Sequence, residues 1–307
     1  MAQLIKLQDY ISRYETNPFH YPTQYIRLKR ENWKKINQLW EMENEQETEI
    51  QDDEGVNREG FFKWNPFKKY TEKVEDNNQF ERRLPKSKQQ LKQYFLNKLY
   101  PFQLKWATST ISQISFIDQK YNNDPTLKHF LQRFPDIYLL MYYPVFNIKK
   151  APIDGEIILI SPLGIDILVL MNEHPDATII VGDDRFWEIE FGDTKSRIIS
   201  PIIPLRRTEQ IVKSILNKHE IEFPVQKTIL SQTSNILFSE EPYKTIVIGK
   251  REYENWLENK RELSSPLKSI QLKATETLLN YCQTTSVKRP EWEEDDDYIT
   301  PASFESE

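Results

Sequence analysis

The chain has one cysteine, Cys282, which excludes an internal disulfide framework and a cysteine-rich zinc site. Its 307 residues include only seven glycines. No GxGxxG or GxxxxGK pattern occurs, so a Rossmann or P-loop nucleotide site is excluded. A Gly-x-Ser-x-Gly nucleophile turn is also missing, and Cys282 has no histidine beside it in sequence. Four histidines, His20, His129, His174 and His219, lie scattered without ligand spacing and read as single surface or loop residues. No uninterrupted apolar run approaches bilayer length, and MAQLIKLQDYISRYE sets acids and polar groups where a signal peptide needs an apolar centre. The expectation is a soluble, cytoplasmic protein without membrane contact.

Apolar residues make up 38% of the chain, enough to bury a core of one large domain or two small ones. The formal charge of −6 hides an asymmetry. Residues 42–57 hold seven acids and no base, and residues 291–307 hold eight acids and no base. Removing those fifteen negative charges from −6 leaves the remainder at +9. A basic body permits contact with a polyanion, and it equally permits the acidic segments to fold back onto it. As merely solvated segments, the two acidic tracts would only keep the chain soluble.

Six regions follow from the pattern. Residues 1–41 read as a helical N-terminal extension, with Gln24–Trp40 an amphipathic helix whose polar side carries Arg27, Arg30, Lys34 and Lys35. Thr23 can cap that helix. Residues 42–58 read as an acidic linker. Residues 59–100 combine an aromatic and basic segment with a helix over Lys86–Leu99 that Pro101 ends. In Gly60–Tyr70 five aromatics alternate with lysines, and Lys63, Trp64, Lys68 and Lys69 suit single-stranded nucleic acid, where bases stack on rings and phosphates meet ammonium groups. The bland account has the rings anchoring an irregular segment. Residues 101–262 read as an α/β (α+β) domain: a second helix over Phe102–Lys120, a short helix capped by Asp124, and a strand over Tyr138–Phe146. A mixed central sheet flanked by helices follows. Residues 263–287 carry a last helix, and 288–307 an acidic tail expected to be unstructured.

The domain is organised around Pro152–Met171, PIDGEIILISPLGIDILVLM. Two β-branched runs, Ile157–Ile160 and Ile165–Met171, flank the tight Ser161–Gly164 turn and read as a buried hairpin. Ile153-Asp154 before an apolar strand, the Pro-x-Gly turn and the second buried strand resemble the central hairpin of the nuclease-related (NERD) domain, a branch of the restriction-endonuclease-like PD-(D/E)xK fold. Trp187 followed by Ser200-Pro201 before a helix also fits the family, and the resemblance covers about Phe102 to Lys260. It implies a divalent cation held by carboxylates and a lysine that orients water. Counted from Gly164, the family's Glu and Lys fall on Val169 and Met171, both apolar, and Pro101–Ile117 contains no acid to replace the family's helical Glu. The site therefore reads as degenerate.

Asp154 and Glu156, two apart on one strand, share a face and are the candidate catalytic and metal-binding pair. Asp166 points to the opposite face from Val169. Lys149 or Lys150 is a candidate for a migrated lysine. Arg206 and Arg207 at the start of a helix, and Arg185 beside Trp187, are candidate phosphate contacts. Ion pairs with Glu188, Glu190 or Glu209 are the competing account. Three functions stay open: a degenerate nuclease-related protein that binds DNA, RNA or a protein; a metal-dependent nuclease with a rearranged site; and a non-enzymatic adaptor. No cofactor is expected, and magnesium or manganese enters only with a working site. Nothing in the residues fixes the oligomeric state.

Overall fold

A computed structural model describes residues 1–49, 84–149 and 151–289. Backbone contacts divide the chain into two units, one of Met1–Tyr21 with the chain from Leu104 onward, the other of Pro22–Gln103. The N-terminal part holds β1 (Gln3–Leu7), the single turn α1 (Arg13–Thr16), α2 (His20–Glu49) and α3 (Lys88–Trp106). The middle holds β2 (Gln113–Ile114), α4 (Pro125–Arg133), β3 (Leu139–Tyr142), β4 (Val145–Ile148), β5 (Ala151–Asp154), β6 (Ile157–Ser161) and β7 (Gly164–Leu170). Then come β8 (Thr178–Ile180), β9 (Phe186–Phe191), β10 (Thr194–Ile199) and α5 (Ile202–Lys218). The chain continues with β11 (Val225–Leu230), β12 (Asn235–Leu237), β13 (Thr245–Ile248), α6 (Lys250–Arg261), α7 (Ser269–Leu279) and β14 (Val287–Lys288).

The apolar hairpin is the centre of a six-stranded mixed sheet in the order β1-β3-β6-β7-β11-β13. Strand β6 runs antiparallel to both its neighbours, β3 and β7, while β7, β11 and β13 are parallel, and β1 lies parallel to β3 at one edge. Ile157, Ile158, Leu159 and Ile160 are all fully buried, each stabilising the fold by roughly 1.5–3 kcal/mol. Between the strands Ser161 Oγ accepts from Leu163 and Gly164 N–H groups and closes the turn. Gly164 is needed there, since a Cβ would sit 2.8 Å from the Pro224 carbonyl oxygen.

Helices cover both faces of the sheet. Lys227 of β11 bonds Glu209 of α5, and Lys227 lies beside Ile167 of β7. Asp166, one residue along β7 and so on the other face, bonds Lys260 of α6 at 2.6 Å. Thus α5, with α7 packed on it, and α6 lie on opposite sides. A second, four-stranded sheet, β10-β9-β8-β12, turns Ile179, Trp187, Ile189 and Ile236 inward. No described helix is long and apolar enough to cross a membrane.

The mixed α/β class, the hairpin, the Asp124 cap of α4 (Leu127 N–H to Oδ1, 2.9 Å) and the strands near 225, 235 and 245 are as expected. Several elements differ. Gln3–Leu7 is a buried strand, where a helix was expected, because its edge position beside β3 supplies partners for both Gln3 and Lys6. Helix α2 starts at His20, whose N–H bonds Asn17 Oδ1, and runs to Glu49, so the acidic stretch begins as helix. Pro101 does not end α3, which continues to Trp106: Pro101 faces outward, where water can serve the carbonyl left without its N–H donor. The helix expected over Phe102–Lys120 therefore stops at Trp106, and Ile111 is exposed. Tyr138–Phe146 is two strands, broken where Tyr143 adopts φ 49° before Pro144. Val287–Lys288 still pairs with β2 as β14.

Candidate functional site at the hairpin mouth

The open end of the β6–β7 hairpin, away from its turn, sets Glu156 beside Val169, with Met171 just past the end of β7. Glu156 precedes Ile157, which faces Leu168, so one step further along both strands Glu156 lies level with Val169. Asp154, in contrast, belongs to β5, which among the described residues pairs with β4 alone, Asp154 opposite Val145. The expectation that Asp154 and Glu156 share one strand face is thus corrected. Gly155 separates them: its N–H bonds the Pro144 carbonyl, and a Cβ would lie 2.9 Å from the Phe146 ring. That close approach ends one strand and starts another.

Glu156 is half-buried and looks onto α5. Its backbone N–H bonds Thr208 Oγ1 at 3.1 Å, and Arg207 Nη2 lies 4.0 Å from its Oε1. Burial raises its carboxyl pKa above the ordinary 4.5, Arg207 opposes the rise and Asp154 adds to it. Tyr143 feels the charge of Glu156: its phenol is pushed up to about 12 by burial, then by Glu156 and Asp124. Its neighbour Tyr142 donates to Asp124 Oδ2 at 2.9 Å. In sequence neither tyrosine stood out, and Asp124 stood out only as a helix cap. Their signal was the Tyr-Tyr-Pro break, where a bulky residue with positive φ marks strain.

A hard divalent cation takes six or more oxygens, with carboxylates prominent among them. Asp154 ends β5 while Glu156 lies in the two-residue link before β6, the side chains at Val169 of β7 and at Met171 just past its end are an alkyl group and a thioether, and the cation beside Glu156 is Arg207. These residues do not fit the metal that the resemblance implies. Among the described residues no three His, Cys, Asp or Glu side chains converge. Lys149 is exposed with φ 51°, and Lys150 lies outside the described residues.

Because Glu156 carries a raised pKa, folding favours its protonated form. Its charged form opposes folding at neutral pH, and the penalty disappears as pH falls through the raised value to the ordinary 4.5. Glu156→Gln is expected to raise the melting temperature at pH 7 and to lose that advantage at pH 4. Melting curves for both proteins across this range check it.

The other candidates are dispersed. Arg206 is held in a fork by Asp184, with both N···O distances 2.8 Å, so the ion-pair account describes it, with Asp184 as the acid. Asp184 sits in the turn that Asp183 closes by accepting from the Arg185 and Phe186 N–H groups. Arg185 stays exposed. Lys63, Trp64, Lys68 and Lys69 lie outside the described residues. What sequence reading missed is a charge cluster behind the mouth: Glu209 accepts from Lys213 at 2.7 Å and from buried Lys227 at 2.8 Å.

No family model matches the chain, and no solved structure matches it. A 45-residue stretch is 51% identical to an RNA 2',3'-cyclic phosphodiesterase of Geobacillus stearothermophilus, covering 15% of this chain and 14% of that protein.

Proposed function

We propose that this chain is a nuclease-related scaffold that binds nucleic acid without cutting it. The observation that carries the reading is the pairing of Glu156 with Arg207 at a mouth where the resemblance would put a charged Glu and Lys at the apolar Val169 and Met171. A guanidinium beside the carboxylate supplies the positive charge that a cation would otherwise bring, so the acid is partly neutralised from within. Support for the fold comes from the buried hairpin and from Trp187 and Ser200-Pro201, which lead into α5 as the resemblance implies. Support for the partner comes from the charge split, which leaves +9 on the chain outside its two acidic tracts.

The match to a phosphodiesterase spans 14% of that protein, too short to support carrying its activity over to this chain. Cyclic phosphodiester hydrolysis calls for general acid and base groups converging on one phosphorus. The histidines here serve separate neighbourhoods: His129 with Tyr253, His219 with Tyr281, His174 with Phe191 and His20 with Tyr21.

Plasmid, single-stranded DNA and RNA incubated with magnesium or manganese test the reading. The wild type, Asp154→Ala and Glu156→Ala are all expected to leave the substrates intact, with gel-shift binding kept in Asp154→Ala. Metal-dependent cutting by the wild type that both variants lose would sink it.

A further inference from the structure

We infer that the outward face of α2 is a sequence-independent phosphate-backbone contact surface, formed by Arg27, Arg30 and Lys34. The inference rests on the binding reading above and gives that binding a place in the helical unit.

Within that unit α2 and α3 run antiparallel. Tyr25 bonds Gln103 at 2.9 Å, the Trp33 and Phe95 rings lie 5.3 Å apart, and Trp40 Nε1 donates to the Pro85 carbonyl at 2.6 Å. The apolar side chains fill the seam: Tyr25, Leu28 and Ile36 of α2, and Leu91, Phe95 and Leu99 of α3, are buried. With a 3.6-residue period, the face of α2 opposite Leu28, Asn32 and Ile36 is the one carrying residues 27, 30 and 34. All three are exposed cations, and Lys35 is exposed at its margin.

The charge is one-sided. Residues 22–40 and 84–103 carry nine Lys and Arg and a single acid, Glu31. Glu31 approaches Arg27 at 3.9 Å with both side chains more than half exposed, a geometry that offsets little charge. On α3, Lys88, Lys92 and Lys98 are exposed as well. The acid-rich part of α2 begins only at Glu41.

Two polyanionic partners fit a row of cations, and the packing separates them. A helix that lies on an anionic membrane sinks its apolar face into the acyl boundary. Here that face is spent on the seam with α3, so only charge is left to offer. A nucleic-acid backbone needs nothing more: phosphates spaced along a strand meet cations one and two helical turns apart, and counterion release drives the contact. No base-edge reader is required, hence binding without sequence preference.

The test uses the full chain and fluorescently labelled duplex DNA, duplex RNA and single-stranded DNA of scrambled sequence, with phosphatidylserine vesicles as a parallel probe. The triple variant R27E/R30E/K34E is expected to lose at least about tenfold in affinity at moderate salt. Its plot of log affinity against log salt should be shallower by roughly three, about one for each phosphate no longer neutralised. R27K/R30K/K34R should bind like the wild type, and circular dichroism should show all variants equally helical. Unchanged affinity in the charge-reversed variant overturns the inference, as does capture by vesicles with no binding to any nucleic acid. Metal-dependent cutting in the same tubes would instead overturn the non-cleaving reading and leave the α2 contact standing.

Discussion

Lys6→Ala is expected to cost about 3–5 kcal/mol of folding stability, the range for removing one partner of a buried ion pair. The Lys6 side chain is completely buried within β1. Its ammonium donates to Glu15 Oε1 at 2.6 Å, to the Tyr10 carbonyl at 2.9 Å and to Thr284 Oγ1 at 3.0 Å, so all three protons are placed. Thr284 in turn donates to the other Glu15 oxygen at 2.9 Å. An irregularity in the β1–β3 register between Leu4 and Lys6 is the kind of bulge that re-aims a side chain. The cluster ties the first strand to residues more than 270 positions away. Substitution by alanine leaves Glu15 facing a cavity and frees Thr284. Urea unfolding should show the midpoint falling with the slope unchanged, and Lys6→Ala/Glu15→Gln should recover part of the loss, because the orphaned charge has gone. A loss below about 1 kcal/mol in Lys6→Ala would show that water reaches the cluster.

The same residue shows why parts of the fold were not legible. Gln3-Leu-Ile-Lys-Leu7 has no alternation of apolar and polar residues, and a buried lysine in a strand is intelligible only once Glu15 and Thr284 are beside it. Long-range partners overrule local pattern. The hairpin, by contrast, was legible because β-branched runs around Ser161-Pro162-Leu163-Gly164 have few other solutions. The parity of β7 was legible for the same reason: Asp166 and Val169 do point to opposite faces, and Asp166 finds Lys260 on the α6 side. At the mouth, period-two reasoning placed Asp154 and Glu156 on one strand and failed. Nothing local says that the Phe146 ring will occupy the space above Gly155 and divide the strand there. Pro101 misled in the opposite direction, since a helix tolerates proline where the carbonyl it strands can reach water.

Glu209→Ala is the second substitution with a large expected effect, again about 3–5 kcal/mol. Lys227 projects from β11 into the interface with α5 and is 5% exposed, with Glu209 2.8 Å away. The other Glu209 oxygen takes Lys213, which is half exposed. Burial alone would raise the Glu209 pKa, but hydrogen bonds from Lys213 and Lys227 outweigh it and hold the carboxyl below the ordinary 4.5. The three charges are therefore unequal: Lys213→Ala should cost well under 1 kcal/mol, as exposed pairs do, whereas Glu209→Ala strands a buried ammonium. Glu209→Ala/Lys227→Met should restore most of the stability, since a well-packed apolar pair can match a buried ion pair. A lowered folded-state pKa gives stability that is present above 4.5 and lost as pH falls through the folded value. The double variant should accordingly have a flatter stability curve on the acid side than the wild type. Glu209 directly follows Arg207 and Thr208, the two residues that meet Glu156. Loosening α5 should therefore also release Glu156, and the stabilisation expected of Glu156→Gln at pH 7 should shrink when it is combined with Glu209→Ala. Additive effects of the two substitutions in urea unfolding would show that the cluster and the hairpin mouth are independent.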